Sequence, residues 1–351
     1  MISDTLNACI GDLDRRLLPD VEEDLERQWR AFTDGAFEGD VFTPSRLRSA
    51  VAPAVEWPAV SINDAQRDID AMLLHQCAAC SGLIQQTGGH TLGVRCNYGV
   101  GIMPSLFGAE IRLMSESQAN LPTSVPLGPE RAAALLDRGV PDIRAGLGGR
   151  VFETAERFLE VLNRYPSVGR FVHLYHPDLQ GPMDTVEMLW GSDLFTAVYL
   201  CPDTVRDLLE LVTETYIVFM REWERLTGRP GDGSVHWQLY HRGQIMLRDD
   251  SAMNFPPELF DTFIRPYDQR LLHEFGGGAV HFCGRGDHYI ASLCEMDGLY
   301  AVNMSQPELN DMEVIYVNTV DKGIPLLGLR KAAADDALAA GRPLRGLVHA
   351  V

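Results

Sequence analysis

A histidine and a cysteine stand two residues apart in the run GAVHFCG, residues 278–284. On a β-strand, side chains two positions apart point the same way, so His281 and Cys283 share a face and Phe282 lies on the other. Gly284 ends the strand, which puts the pair at its C-terminal end, where barrel active sites lie. Imidazole and thiolate are ligands that zinc prefers. The alternative is that both side chains simply fill a buried interior.

Two adjacent acids, Asp249 and Asp250, follow a predicted strand at 244–248. At a strand end one of them faces the cleft, where a carboxyl group acts as a general acid or base or anchors a polar substrate. We therefore predict Asp249 and Asp250 as catalytic residues. The alternative is that one of the two caps the chain locally or pairs with Arg248.

Further polar side chains lie near other strand ends. His173, His176 and Asp178 surround the end of a predicted strand at 170–174, and Arg285 follows the histidine–cysteine strand. Histidine and aspartate at these positions are expected to line a substrate cleft, and the guanidinium of Arg285 suits a substrate anion. We predict all four as substrate-binding residues.

The elements that carry these residues alternate along the chain. Short apolar runs predict nine strands, and amphipathic helices separate many of them. The predicted strands cover residues 92–96, 111–115, 170–174, 235–239, 244–248, 279–283, 299–303, 324–328 and 345–349. Alternating strands and helices imply a parallel sheet. Periodicity leaves open whether this sheet closes into a barrel. An eight-stranded barrel would leave one of the nine predicted strands over, as part of a hairpin outside the barrel.

Proline and glycine mark the ends of two strongly amphipathic helices, at 202–228 and 256–276. The first ninety residues read as mostly helical and polar. Helices are predicted at 22–32 and 63–86, and a proline-containing connector at 42–57.

The 351 residues carry a formal net charge of −19, which argues against nucleic acid and anionic membranes as partners. No basic segment leads into an apolar stretch at the N-terminus, and no run is apolar enough for a membrane span. The seven cysteines are odd in number and show no framework spacing, as expected for a reducing compartment. We therefore expect a cytoplasmic protein.

Three segments in order resemble signature segments of the uroporphyrinogen decarboxylase superfamily. They are HPDLQGPMDTVEMLWG at 176–191, RDDSAMNFPPELFDTFIRPYDQRLL at 248–272 and AVHFCGRGDHYIASLCEMDGLYAVNM at 279–304. The resemblance runs from about residue 97 to the end and is strongest between 170 and 330.

The resemblance implies an α/β fold of the (β/α)8 TIM-barrel type, with a deep cleft at the C-terminal ends of the strands. The barrel would occupy residues 91–351, and residues 1–90 would form an N-terminal helical extension packed on it. Members of this superfamily are commonly homodimers, so the resemblance also implies a homodimer.

One branch of the superfamily decarboxylates tetrapyrroles without a cofactor. Its members share an arginine-rich N-terminal loop and an aspartate before a P-x-x-x-G turn. The matching turn here is Pro104–Gly108, and Asn97 and its neighbours bring no carboxylate to it. Arg46 and Arg48 are a poor substitute for the loop. These departures argue against uroporphyrinogen as the substrate. Because Asn97 lies in the segment before this turn, we predict it as a substrate-binding residue.

The other branch comprises zinc-dependent methyltransferases, which move a methyl group from a corrinoid protein to a thiol such as coenzyme M or homocysteine. An H-x-C pair and a later cysteine on the last strand hold their zinc. His281 and Cys283 match the pair, and His349 in RGLVHAV stands where the cysteine is expected. Histidine is also a zinc donor, so His349 is predicted as the third ligand. Asp249 and Asp250 resemble the paired acids of this branch.

The resemblance therefore implies methyl transfer with zinc as cofactor, a small-molecule substrate and a methyl-corrinoid carried on a partner protein. Two alternatives remain. One is a cofactor-free decarboxylase, of uroporphyrinogen type or acting on a smaller acid, in which Asp249 or Asp250 protonates the carbanion. The other is a barrel that binds a small molecule without catalysis.

Overall fold

The computed structural model describes residues 2–229 and 231–351, and the elements below are those of the described part. The helices are α1 (Ile2–Arg16), α2 (Pro19–Thr33), α3 (Ile62–Arg67), α4 (Ile69–Leu83), α5 (Ile102–Leu106), α6 (Pro129–Ala133), α7 (Gly148–Leu162), α8 (Pro166–Phe171), α9 (Pro182–Trp190), α10 (Leu194–Leu200), α11 (Pro202–Thr227), α12 (Pro257–Phe263), α13 (Arg265–Glu274), α14 (Ile290–Leu293), α15 (Met312–Asn318) and α16 (Lys331–Ala339). The strands are β1 (Val41–Phe42), β2 (Leu92–Val94), β3 (Glu110–Arg112), β4 (Thr123–Val125), β5 (Val172–Leu174), β6 (Gly233–His236), β7 (Leu239–Arg242), β8 (Ile245–Arg248), β9 (Gly278–Phe282), β10 (Leu299–Met304), β11 (Leu326–Leu329) and β12 (Val348–Ala350).

The fold is mixed α/β and is organised around a six-stranded parallel sheet in the order β1-β12-β11-β10-β9-β8. A second parallel sheet pairs β2 with β5. Two antiparallel hairpins, β3–β4 and β6–β7, accompany these sheets. The sequence predicts at most one hairpin excursion, but two predicted strands, 111–115 and 235–239, lie in hairpins. The second of these spans a turn, because its apolar residues belong to both arms.

Strand β1 is a feature that the sequence analysis missed. Val41 and Phe42 pair in parallel with Val348 and His349 of β12, whereas the sequence predicts a connector that begins at Phe42. Two residues are too few to produce an alternating pattern, so periodicity does not detect such a strand. The first ninety residues therefore contribute a strand to the main sheet.

Side chains of α2 and of the β6–β7 hairpin pack against one face of the main sheet. Residues early in β8, β9, β10 and β11 form one buried cluster with Phe42 of β1 and with apolar side chains of these two elements. Its members are Leu25, Trp29, Phe32, Phe42, Leu239, Met246, Ala279, Ala301 and Leu327. A larger buried cluster lies between the sheets and the surrounding helices. The smaller cluster thus lies toward the N-terminal ends of β8, β9 and β11.

Helix α11 follows its prediction closely, but the predicted helix 256–276 is two helices, α12 and α13, that meet at Ile264. Pro266 lacks an N–H and its ring clashes with the carbonyl of Thr262, so one continuous helix is not possible. The predicted helix 63–86 also divides, because the side chain of Asp68 accepts the backbone N–H of Ala71 and starts α4. Within the described residues, no helix is long and apolar enough to cross a membrane.

Candidate metal centre

Three side chains that can bind a metal converge at the C-terminal ends of β8 and β9. Asp250 opens the short 3-10 helix Asp250–Asn254 after β8, His281 lies on β9, and Cys283 follows it. Their ligand atoms all lie within 4.8 Å of one another. His281 Nε2 is 3.3 Å from Cys283 Sγ and 3.6 Å from Asp250 Oδ1. Ligands about 2.0–2.3 Å from one zinc ion are separated by such distances, so this group fits zinc.

The tautomer of His281 follows from its neighbour on β10. The amide nitrogen of Asn303 donates to the carbonyl of Leu327 at 2.6 Å, which turns the amide oxygen toward His281. That oxygen lies 2.6 Å from His281 Nδ1. Because an amide oxygen only accepts, Nδ1 carries the proton and the Nε2 lone pair faces Cys283 and Asp250. Burial lowers the pKa of His281, which also favours the neutral ring that binds metals.

Cys283 lies between two polar partners. Its backbone N–H donates to Asp250 Oδ1 at 3.1 Å, and its thiol donates to the hydroxyl of Ser305 at 3.5 Å. Burial raises the pKa of the Cys283 thiol to about 11, and the charge of Asp250 acts in the same direction. A thiolate at this position therefore needs a positive charge beside it, which a bound metal ion supplies.

Helix α9 holds the turn that carries Asp250. The two carboxylate oxygens of Asp184 accept the backbone N–H groups of Asp250 and Ser251, each at 2.8 Å. Burial raises the pKa of Asp184 well above its usual range, although the bonds from Ser251 oppose this. Beside the turn lies an open cleft of about 310 Å³. Its lining residues are Val100, Gln180, Asp184, Glu187, Met188, Asp250, Ser251 and Asn254.

Asp249, predicted as catalytic together with Asp250, points away from this cleft. Its carboxyl group is fully buried behind β8 and interacts with that of Asp268 on α13. Burial raises the pKa of Asp268 to about 8 and that of Asp249 well above its usual range, so the pair retains a proton at neutral pH. The structure brings Asp250 into the ligand group and leaves Asp249 in the layer between sheet and helices.

Asp178 reaches the centre through other side chains. Its carboxylate pairs with Arg248 Nε at 2.7 Å and also with Arg95. Although burial opposes it, the two guanidinium groups lower the pKa of Asp178. Arg248 stacks over Trp237 at 4.6 Å, and the Trp237 ring packs edge-on to His281 with centroids 4.7 Å apart. Asp178 is thus joined to the candidate ligand group through two intermediate side chains, those of Arg248 and Trp237.

The other predicted substrate-binding residues are outside the ligand group and do not line the cleft beside Asp250. His173 and His176 line a separate cavity, and His176 Nε2 accepts the backbone N–H of Met246 at 3.2 Å. Arg285 is largely exposed and pairs with Asp287 at 2.7 Å. The side chain of Asn97 is partly buried, and its backbone carbonyl accepts from Gln66 at 2.7 Å.

His349, the predicted third ligand, is not part of the group that the described residues form. Its Nδ1 accepts the backbone N–H of Gly328 at 3.1 Å, and its ring packs against Trp29 and Phe42, with centroids 4.6 and 5.8 Å away. Burial lowers the pKa of His349 to about 3. Asp250 takes the place in the group that the sequence analysis gave to His349.

Sequence reasoning missed three residues that shape the centre: Asn303, Trp237 and Asp184. For Asn303 a signal was present in the sequence, because it is a polar residue near the end of the predicted strand 299–303. Such a residue is a candidate hydrogen-bond partner for a metal-binding histidine on a neighbouring strand. Trp237 lies at a hairpin tip and Asp184 in a helix. Neither position shows in sequence that it approaches β8 or β9.

No protein-family model matches the chain, and no curated protein is similar to it at a significant level. Among solved structures, the chain is similar to a methyltransferase from Methanosarcina mazei, with a TM-score of 0.62. The match covers 93% of this chain and 92% of that one, at 16% sequence identity. At this identity the likeness is one of fold.

Proposed function

We propose that this chain is a zinc-dependent methyltransferase that transfers a methyl group to a thiol. Asp250, His281 and Cys283 would hold the metal, and a methyl-corrinoid on a partner protein would be the donor, as the superfamily resemblance implies. The observation that carries the proposal is the group of three ligand atoms at the strand ends. The fold shared with a methyltransferase from Methanosarcina mazei supports it.

Bound zinc would lower the pKa of a substrate thiol, so that the nucleophilic thiolate is present near neutral pH. The three protein ligands leave a fourth position of a tetrahedral site for that thiol. Asn303 keeps the Nε2 lone pair of His281 aimed at the site. Asp184 keeps the turn of Asp250 in place, and the cleft beside Asp250 gives a substrate access.

We also propose that the two parallel sheets are arcs of one eight-stranded barrel. Placing β2 and β5 between the sheet edges β1 and β8 puts all eight parallel strands in chain order, as in a (β/α)8 barrel. Two hydrogen bonds connect the segment after β5 to β8. His176 Nε2 accepts from the backbone of Met246, and the backbone N–H of Gly181 donates to the carbonyl of Arg248 at 2.8 Å.

Metal content tests the proposed function directly. Protein purified without chelator is expected to contain close to one zinc per chain by elemental analysis. Cys283→Ser and Asp250→Ala should each lower that content, and Cys294→Ser, which alters a cysteine outside the group, should not. Cobalt(II) loaded in place of zinc should give a thiolate-to-metal absorption band that Cys283→Ser removes.

Less than a tenth of an equivalent of metal in the wild-type protein, unchanged by Cys283→Ser, would contradict the zinc proposal. The pair His281 and Cys283 would then be packing residues. The cofactor-free decarboxylase and the binding barrel would remain as explanations of the fold.

A further inference from the structure

The cleft beside Asp250 has an acidic wall. Asp184, Glu187 and Asp250 line it, and none of the described residues that line it is a lysine, an arginine or a histidine. Asp250 also belongs to the candidate ligand group, so a molecule in this cleft lies beside the metal centre. The cleft has a volume of only about 310 Å³, and a ligand in it therefore contacts several of its walls at once.

Two of these three acids already have other partners. Both carboxylate oxygens of Asp184 accept backbone N–H groups of the turn after β8, and Asp250 would be a metal ligand. Glu187 is half-buried, and its Oε2 accepts the hydroxyl of Ser251, the residue that follows Asp250. Within the described part of the chain, Glu187 has no cationic partner. Glu187 is therefore the acid of this wall that is left to bind a ligand.

Gln180 is a second and independent sign of a ligand in this cleft. The residue lines the cleft and is only 5% exposed. Its side-chain amide makes no hydrogen bond with the residues that the structure describes, and its oxygen and nitrogen both keep some accessible surface. A largely buried amide without partners is costly, and a polar group of a ligand would satisfy it. Because an amide both donates and accepts, Gln180 indicates a polar ligand but not the sign of its charge.

The charges around the cleft indicate that sign. The Asp250 carboxylate and a Cys283 thiolate would neutralise a bound zinc ion, so a substrate thiolate would leave the centre with a net negative charge. Glu187 adds a further negative charge to the same cleft. A sulfonate or carboxylate on the substrate would lie against these like charges, whereas an ammonium group would be attracted to them.

We propose that the cleft selects an acceptor thiol that carries an ammonium group, with Glu187 as its counter-charge and the amide of Gln180 as a further polar contact. This inference rests on the proposed function and narrows its substrate to a short aminothiol. Coenzyme M, which carries a sulfonate, would be disfavoured by the same wall. Glu187 and Gln180 would thus determine specificity without binding the metal.

Two thiols of equal chain length test the inference, because 2-aminoethanethiol and 2-mercaptoethanesulfonate differ in the charge of their second group. Titration calorimetry on the zinc-loaded full chain should give the aminothiol a Kd at least tenfold lower. Glu187→Gln keeps an acceptor for Ser251 but removes the charge, so it should raise the aminothiol Kd about tenfold and lower the sulfonate Kd. Gln180→Leu should raise the aminothiol Kd about threefold.

Glu258→Gln is the control, since it removes one exposed acid outside the cleft and should leave both Kd values unchanged. The two thiols also differ in their own pKa, so the deciding quantity is the change in the ratio of their Kd values between wild type and Glu187→Gln. The zinc content of Glu187→Gln should equal that of the wild type, which would show that its metal centre is intact.

The same Kd ratio in wild type and Glu187→Gln, or tighter binding of the sulfonate by the wild type, would overturn the inference. Failure of both thiols to bind at millimolar concentration would do so too. Loss of zinc in Glu187→Gln would make Glu187 a support of the Asp250 turn and would equally contradict the inference. In each case a wild-type protein with one zinc per chain leaves the proposed function standing, whereas a wild type without zinc overturns both.

Discussion

At the residue scale, the orientation of His281 depends on a short relay that ends at a backbone carbonyl. Leu327 fixes the amide of Asn303, and that amide fixes the imidazole. Such partners of a metal-binding histidine set its tautomer and raise its basicity as a ligand. The relay runs from β11 through β10 to β9, so the ligand is held by the sheet rather than by a loop.

Asn303→Ala should weaken zinc binding without removing a ligand. The variant frees Nδ1 of His281 and allows the ring to rotate, and loss of such a partner costs about 10- to 100-fold in metal affinity. Competition with a chromophoric chelator measures the zinc Kd. Asn318→Ala is the control, since the side chain of Asn318 donates to the carbonyl of Val314 within α15. An unchanged Kd in Asn303→Ala would show that the relay does not act on the metal.

His349 has a different role, and its low pKa gives a pH test. A histidine that stays neutral when folded contributes stability that is full above pH 6.5 and is lost as the pH falls, because the unfolded chain binds the proton first. The variant His349→Phe has no imidazole to protonate, so it does not lose stability in this way as the pH falls. It also leaves the backbone N–H of Gly328 without an acceptor. We expect the variant to be less stable at pH 7.

By pH 5 the difference in the free energy of unfolding between wild type and His349→Phe should narrow by about 2 kcal/mol. The figure follows because each pH unit below about 6.5 costs the wild type about 1.36 kcal/mol. Urea unfolding at the two pH values measures it. Zinc content should be the same in both proteins. A gap independent of pH, or a loss of zinc in the variant, would contradict the structural role of His349.

These two histidines show how far sequence reasoning reaches at this scale. The spacing of His281 and Cys283 was enough to predict one shared face, because strand geometry is local. The predicted inward direction of His349 was not enough to place it beside His281 and Cys283. Two strands separate β12 from β9, and side chains of α2 fill the space beside His349. The sequence predicts Asp249 and Asp250 together as catalytic residues and does not predict Asp250 as a metal ligand. Which of the two faces His281 depends on the turn of the chain after β8.

At the element scale, the β6–β7 hairpin brings its tip against the side chain of His281. Trp237 and Gln238 at its tip have φ values of +46° and +66°, which non-glycine residues adopt at a cost. The turn is held by contacts on both sides: Trp237 packs between Arg248 and His281, and the carbonyl of Gln238 accepts from Thr91 at 2.9 Å. The tip therefore forms part of the surroundings of the candidate metal centre.

Helix α9 is the second element on which the centre depends. Asp184→Ala removes the acceptors for the backbone of Asp250 and Ser251, so the 3-10 turn should move and the zinc Kd should rise at least tenfold. Asp184→Asn keeps one acceptor oxygen and should show a smaller rise. Asp193→Ala, an exposed acid after α9, is the control. Equal zinc affinity in all three variants would mean that Asp250 is placed by β8 alone.

Elements with strong periodicity were predictable and short ones were not. The helix at 202–228 was predicted nearly to the residue, since its apolar face and its proline and glycine limits agree. The two-residue strand β1 and the hairpin tip have too few residues for a pattern. Their positions are set by packing against distant parts of the chain.

At the scale of the whole molecule, the first ninety residues are expected to be required for folding. Strand β1 pairs with β12, and the rings of Trp29 and Phe42 pack against His349 with centroids 4.6 and 5.8 Å away. The helical extension that the sequence predicts is thus bonded into the interior of the sheet.

A fragment of residues 91–351 should therefore lack a cooperative fold when produced alone. Removing a buried tryptophan such as Trp29 costs about 3–5 kcal/mol by itself, against about 5–15 kcal/mol for a whole domain. The fragment also loses Leu25 and Phe32 from the same cluster and exposes the edge of β12. Its circular dichroism should show no sharp thermal transition.

Co-expression of residues 1–90 as a separate chain should restore both the transition and zinc binding, because the contacts are noncovalent. A soluble fragment 91–351 that melts cooperatively and binds zinc alone would show that the sheet is stable without β1 and α2.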